Sequence, residues 1–148
     1  MALIAKPSPT YIDEVKLVTD GGCKGNPGPG AIGILILDGD NRMLESHSAC
    51  IGQTTNNRAE YGALIEGLDR CARHTRRKVV CFTDSQLVVN QMTGKYRLRD
   101  NQLRELFHKA KDMESPFQEV VYQHVQRSHP LLKKADRLVN EAFQGRCV

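Results

Sequence analysis

Apolar residues recur along the chain with two different periods, and the change from one to the other marks out its elements. The run Val15-Lys16-Leu17-Val18-Thr19 is strand-like and ends at Asp20. Ala31 to Leu37 carries Ile32, Ile34 and Ile36 in strict alternation, the period of two that a strand requires. Between them Gly21 to Gly30 reads as a Gly/Pro loop, and Asp38-Gly39-Asp40-Asn41 reads as a turn. Met43 to Ile51 then completes an antiparallel meander. From Asn57 to Arg73 the period becomes 3.6, with Ala59, Ala63, Leu64, Leu68 and Cys71 on one helical face.

Downstream, Val79 to Thr83 reads as a buried strand ending at Asp84, followed by a short helix from Ser85 to about Met92 that Gly94 closes in the manner of a C-terminal cap. A basic connector, Lys95 to Arg99, leads into an amphipathic helix from Asn101 to Met113 built on Leu103, Leu106, Phe107 and Ala110. Pro116 breaks the pattern. Glu119 to Val125 is the last predicted strand, and Lys133 to Phe143 the last helix, using Ala135, Leu138, Val139 and Ala142. The order β-β-β-α-β-α-α-β-α predicts an α/β fold in which a mixed sheet is covered by helices. Residues 1–13 are expected to be a loose lead-in, 14–145 the folded domain and 146–148 a tail.

At 148 residues the chain can bury one core without staples. Its hydrophobic fraction of 40% and charged fraction of 26% are those of a folded globular protein. No apolar run approaches the roughly 18 residues of a membrane span, and Met1 to Thr10 lacks a signal peptide's apolar core, so a cytoplasmic protein without membrane contact is expected. The net charge of +4 says little alone. Its distribution says more: basic knots occur at Arg73/Arg76/Arg77/Lys78, at Lys95/Arg97/Arg99 and at Lys133/Lys134/Arg137. The five cysteines show no C-x-x-C spacing. Cys81 reads as a small core residue. Cys147 could tie the tail to the body through a partner such as Cys71, although a reducing cytosol disfavours such bonds.

Four acids stand apart from this structural pattern: Asp20, Glu60, Asp84 and Asp136. Each lies at or near the end of a predicted element. Carboxylates gathered from distant segments repel one another, so clustering them gains a fold nothing, but it does hold hard divalent cations through oxygen. Metal-dependent phosphoryl transfer is the chemistry that uses such a set.

The segments around these acids carry a resemblance. Asp20-Gly21-Gly22-Cys23-Lys24-Gly25-Asn26-Pro27-Gly28, Thr54-Thr55-Asn56-Asn57-Arg58-Ala59-Glu60, Thr83-Asp84-Ser85-Gln86 and Ala135-Asp136-Arg137-Leu138-Val139-Asn140 resemble, in order, the blocks of type 1 ribonuclease H. The resemblance covers roughly Lys16 to Phe143. It implies a ribonuclease H-like five-stranded mixed sheet, three strands antiparallel, flanked by helices. It also implies endonucleolytic cleavage of the RNA strand of an RNA–DNA hybrid, leaving 5′-phosphate and 3′-hydroxyl ends. Asp20, Glu60, Asp84 and Asp136 would be catalytic and would hold two Mg²⁺ ions roughly 4 Å apart, with Mn²⁺ as a substitute.

His129 matches best a mobile histidine that assists turnover, with Arg127 as its rival in a short loop. Asn26, Asn56, Asn57 and Gln86 match positions that read the minor groove and its 2′-hydroxyls, and Thr55 one that grips a DNA phosphate. Asn56-Asn57 also reads as a helix N-cap, and the glycine-rich loop as an ordinary hairpin loop. A monomer is expected. The chain has no tryptophan and no basic protrusion after the third acid, so it resembles the compact subgroup, and its grip on a hybrid must come from the basic knots, from Tyr96 or from another module. A binding domain that has lost catalysis, a DNA-directed nuclease and a phosphatase are the rival readings.

Overall fold

A meander and a parallel extension share one sheet. The computed structural model describes residues 10–148. Strands β1 (Ile12–Cys23), β2 (Gly28–Leu37) and β3 (Met43–Thr54) pair antiparallel, while β4 (Thr75–Thr83) and β5 (Glu119–His124) continue the sheet in parallel on the other side of β1. The strand order is β3-β2-β1-β4-β5. Helix α1 (Asn56–Cys71) crosses between β3 and β4, α2 (Gln86–Met92) and α3 (Asn101–Met113) lie between β4 and β5, and α4 (Pro130–Gln144) ends the chain. The expected five-stranded mixed sheet with flanking helices is therefore present.

The sheet has two covered faces. Leu17, Ile32, Ile34 and Ile36 pack with Tyr61, Leu64 and Leu68 of α1 and with Leu103 and Ala110 of α3. On the opposite face Val18, Leu35 and Leu37 meet Leu132 and Ala135 of α4. The isoleucine alternation marked only the first of these faces. The second is just as dry, because α4 returns across it, and β2 is buried over nearly its whole length.

Several boundaries differ from the expected ones. The glycine-rich segment is mostly strand: Gly22 pairs with Ala31 and Cys23 with Gly30, which leaves only residues 24–27 as the connection. Within it Gly25 alone has a positive φ, of 69°, so its other glycines answer to packing rather than to left-handed backbone. β4 starts at Thr75 and takes Arg76, Arg77 and Lys78 into the sheet. β1 starts at Ile12, whose N–H donates to the His74 carbonyl at 2.8 Å and whose carbonyl accepts from Thr75 Oγ1 at 2.6 Å. The last residues of the expected lead-in thus belong to the sheet, and residues 1–9 lie outside the described residues. No helix among the described residues is long and apolar enough to cross a membrane.

Cys147 is tied to the body, but to Cys50 on β3 and not to Cys71. Topology decides this: Cys71, the last residue of α1, is sealed in the core on that helix's side of the sheet, whereas the tail leaves α4 on the other face, beside β3. The bond links positions 97 residues apart.

One contact sets how closely α4 approaches. A Cβ on Gly33 would lie 2.3 Å from the Ala135 carbonyl oxygen and 2.9 Å from Leu138 Cβ. Gly33→Ala should force α4 off β2 and destabilise the protein by about 1–3 kcal/mol, the usual range for overpacking. Urea unfolding tests this, and an unchanged midpoint would mean that α4 can shift at no cost.

Candidate active site

Parallel pairing brings the first two acids together. β1 and β4 run side by side as far as the Val18–Phe82 pair, and Asp20 and Asp84 lie just beyond it, at the same end of the sheet. That is where open α/β sheets place their sites. Asp84 leaves the strand through a turn in which the Ser85 N–H donates to Thr83 Oγ1 at 3.1 Å. Ser85 then caps α2, accepting from the Val88 N–H.

Glu60 arrives from the first turns of α1. The helix begins at the N-cap Thr55, whose hydroxyl accepts from the Arg58 N–H at 3.3 Å. It comes close enough because a Cβ on Gly21 would lie 2.5 Å from the Ala59 carbonyl oxygen. The Gly21 N–H donates to Glu60 Oε1 at 2.6 Å and to Asp20 Oδ1 at 3.0 Å, so one backbone donor orients two acids. One carboxylate oxygen from each of Asp20, Glu60 and Asp84 lies within 4.8 Å of the others.

Asp136 is presented by α4, past its first turn, where the helix macrodipole no longer accounts for it. Arg127 Nη2 lies 3.9 Å from Asp136 Oδ1, and Asn140 Nδ2 donates to Oδ2 at 3.4 Å. All four acids line one cleft of about 450 Å³.

The electrostatics show what the arrangement costs. Burial pushes the Asp20 carboxyl up to about 7, helped by the charges of Asp84 and Asp136 and a hydrogen bond with Asp136, against the Gly21 N–H. Burial likewise raises Glu60 well above the usual carboxylate range, with Asp20 and Asp84 adding to it. A cation among these oxygens would reverse both effects. The donors are all hard carboxylate oxygens, and the nearest positive side chain, Arg127, stands at the rim, so the residues fit a hard divalent ion such as Mg²⁺ or Mn²⁺.

The polar residues split into two groups. Asn26 Oδ1 accepts from the Asn56 N–H at 3.0 Å, and Asn56 Oδ1 accepts from the Cys23 N–H at 3.0 Å. These bonds tie the β1–β2 connection to the start of α1 and leave both amide NH₂ groups available to a ligand. Asn56 and Asn57 line the cleft and also an adjoining recess of about 400 Å³ that includes Asn26, Thr55, Arg58 and Asp100. Gln86, exposed at the start of α2, does not line the cleft. Nor does His129, which caps α4. Its Nδ1 accepts from the Leu131 N–H at 3.1 Å, and its ring stacks on Phe82 with centroids 6.3 Å apart. Arg127 does line it. Sequence reasoning passed over Asn140, although it stands four residues after Asp136 on the same helix face. It also passed over the closeness of Gly21 to α1, which no local pattern reveals.

A family profile described as reverse transcriptase-like matches residues 18–142. Ribonuclease H1 from the archaeon Halobacterium salinarum superposes with a TM-score of 0.85 at 36% identity, covering 89% of this chain and 98% of that one. The chain belongs to the ribonuclease H family. The N-terminal ribonuclease H domain of a bifunctional protein from Mycobacterium tuberculosis also matches, with a TM-score of 0.85 at 35% identity, over 90% of this chain and 96% of that domain. LC11-RNase H1, solved in complex with an RNA/DNA hybrid, matches at 38% identity with a TM-score of 0.82, over 88% of this chain and 97% of that one. Against full-length curated relatives the chain is shorter, spanning 36% of the mycobacterial protein and 61% of the Halobacterium ribonuclease HI.

The raised Asp20 carboxyl has a consequence for stability. Between its ordinary 3.8 and about 7 the unfolded chain ionises this group while the fold resists, so the unfolded state binds fewer protons and stability falls as pH rises. His47, lowered chiefly by burial and by Arg70, tilts the opposite way in part of the same window. The diagnostic is therefore a difference between proteins. Without divalent metal, wild type should lose more stability than Asp20→Asn between pH 5 and pH 8, by at least about 1 kcal/mol. Denaturant titrations at both pH values check this, and parallel pH profiles would refute it.

Proposed function

We propose that this chain is an endonuclease that hydrolyses the RNA strand of RNA–DNA hybrids, leaving 5′-phosphate and 3′-hydroxyl ends. The observation that carries the reading is the convergence of Asp20, Glu60 and Asp84 within 4.8 Å, in a cleft whose wall continues into the amides of Asn56 and Asn57. A solved relative bound to a hybrid supports the choice of substrate. A phosphatase would use the acids but would leave the amides on the rim without a partner.

Asp20, Glu60 and Asp84 would hold Mg²⁺, with Asp136 completing the set for two ions. A metal bound there would supply an activated water and would neutralise charge developing on the phosphate. The chain's own groups do the rest. The Gly21 N–H keeps Asp20 and Glu60 in register. Asn26 and Asn56, their carbonyl oxygens engaged within the protein, present NH₂ donors to the minor groove, where a 2′-hydroxyl separates RNA from DNA. Asn57 and Gln86 extend that surface, and Thr55 faces a phosphate of the DNA strand. The same reading takes the protein to be a cytoplasmic monomer; the Cys50–Cys147 bond is the feature that a reducing compartment would not favour.

Labelled hybrid, duplex DNA and duplex RNA, each incubated with Mg²⁺ or Mn²⁺, test the reading directly. Cleavage should be confined to the RNA of the hybrid, and cutting of duplex DNA instead would overturn it. Asp20→Asn should abolish cleavage while hybrid binding survives, because it removes a metal ligand and relieves repulsion. Wild-type turnover by this variant would remove the metal assignment.

His129 is read as assisting turnover through an imidazole that gains and loses a proton near neutrality. Since it also caps α4, His129→Asn is the informative change, keeping a capping side chain while removing the imidazole. Turnover should drop by on the order of 10²-fold with little change in hybrid affinity. If Arg127→Ala is slow and His129→Asn is not, the role passes to Arg127, which lines the cleft.

A further inference from the structure

The tie between the tail and β3 meets the same turn of α4 that helps to wall the cleft. That end of the helix has two sides. Inward, Val139 and Ala142 pack with Ala31 of β2, and Phe143 and Cys147 close the cluster. Both sulfurs of the Cys50–Cys147 bond face this turn, 3.6 Å and 3.3 Å from the Ala142 carbonyl oxygen. Outward, Val139, Asn140 and Phe143 line the cleft of the acids. Phe143 belongs to both sides: it packs in the cluster that the tail closes, and it forms part of the cleft wall.

Phe143 also steadies the β1–β2 connection. Lys24 Nζ lies over its ring, 5.1 Å from the centroid, within the reach of a cation–π contact. Lys24 opens the four-residue connection 24–27, in which Asn26 accepts from the Asn56 N–H, and Asn56 in turn accepts from the Cys23 N–H. A chain of contacts therefore runs from the disulfide, through the last turn of α4 and Lys24, to the amides that brace the start of α1. Cys50 is exposed, so a thiol reagent can reach the bond at its head.

We propose that the Cys50–Cys147 bond is a thiol-reversible clamp on the cleft wall: closed, it holds Phe143 and, through Lys24, the β1–β2 connection; open, it lets that connection loosen. Reduction by a dithiol balances within the pair. Two electrons and two protons pass to the two sulfurs, the S–S bond breaks to give two thiols, and the dithiol closes to its own disulfide. The consequence for a hybrid rests on the function proposed above. Asn26 and Asn56 present their NH₂ groups well only while their orientation is fixed, so loosening lowers the fraction of protein ready to bind and weakens affinity in proportion. The acids stand on β1, on α1, after β4 and on an earlier turn of α4, so the chemical step is left unchanged.

The test compares the full chain after air oxidation and after reduction with dithiothreitol. Thiol counting should find three free cysteines in the oxidised protein and all five in the reduced one. On reduction, hydrogen exchange at the Cys23 and Asn56 amides should quicken by more than at the core amide of Leu64, and hybrid affinity in a metal chelator should fall several-fold. With metal restored, KM should rise and kcat should hold. Cys147→Ser should behave as the reduced protein under both conditions. Lys24→Gln should keep the disulfide yet lose most of the redox difference, since any direct effect of the missing charge is common to both states. A bond that serves stability alone would lower the urea midpoint on reduction while leaving affinity and those two amides unchanged, and that result overturns the inference. Five free thiols in the oxidised protein, or a full redox difference in Lys24→Gln, overturns it as well. If neither state binds hybrid, the substrate reading fails instead, and exchange at the Cys23 and Asn56 amides still decides whether the clamp exists.

Discussion

Asp20 stands where it does because the two residues beside it have no side chains. Gly21 follows it in the chain, and Gly33 faces it across the β1–β2 ladder. At Gly21 the backbone of α1 comes within contact of β1, and at Gly33 the backbone of α4 rests on β2. A methyl group at either place would overlap a helix carbonyl oxygen. Both helices therefore close on one point of the sheet from opposite faces, and each brings an acid with it: Glu60 one residue after Ala59, Asp136 one residue after Ala135. The fold concentrates its packing constraint and its chemistry at the same point of the sheet.

That closeness has an electrostatic price. Asp20 and Glu60 are both pushed upward chiefly by burial, with neighbouring carboxylates adding to the effect, and the Gly21 N–H is the group that opposes the shift in each. A site shaped for stability would place a lysine or arginine among these oxygens. Here Arg127 reaches only Asp136, at 3.9 Å, and among the described residues Asp20, Glu60 and Asp84 have no cationic partner. That deficit of positive charge at the centre would give a divalent cation something to bind, and the same deficit underlies the pH dependence expected of the metal-free fold.

Much of this could be read along the chain. The helix Asn101–Met113 falls where the period of 3.6 puts it, and the four acids were legible as a set because none serves its own element. What failed to show was whatever depends on contact between distant segments. Leu35 and Leu37 look like the outward side of an alternating strand until α4 is known to cover them. Arg76 and Arg77 look like a turn, yet they extend β4 because Ile12 reaches back to pair beside Thr75. The glycines after Asp20 read as a loop, whereas most of them lie in paired strands, where their lack of side chains lets backbones approach. Cys147 was readable as a possible tie, but with Cys71 as its candidate partner and not Cys50, since nothing local says which face of the sheet the tail will reach.

The asparagines show why structural and functional readings of one residue need not compete. An amide has an acceptor and two donors, and the fold uses only one side. Asn26 and Asn56 spend their carbonyl oxygens on the N–H groups of Asn56 and Cys23, locking the β1–β2 connection to the first turn of α1. Those bonds fix the orientation of each side chain, so the NH₂ groups are pre-set rather than free to rotate, and less entropy is lost when a ligand is met. A serine could cap the same N–H but would have no second, oppositely directed donor pair. An aspartate would offer acceptors alone and would add charge to a rim already crowded with carboxylates. Neutral amides are the side chains that brace the site from within and, on the proposed reading, would still offer donors to a 2′-hydroxyl.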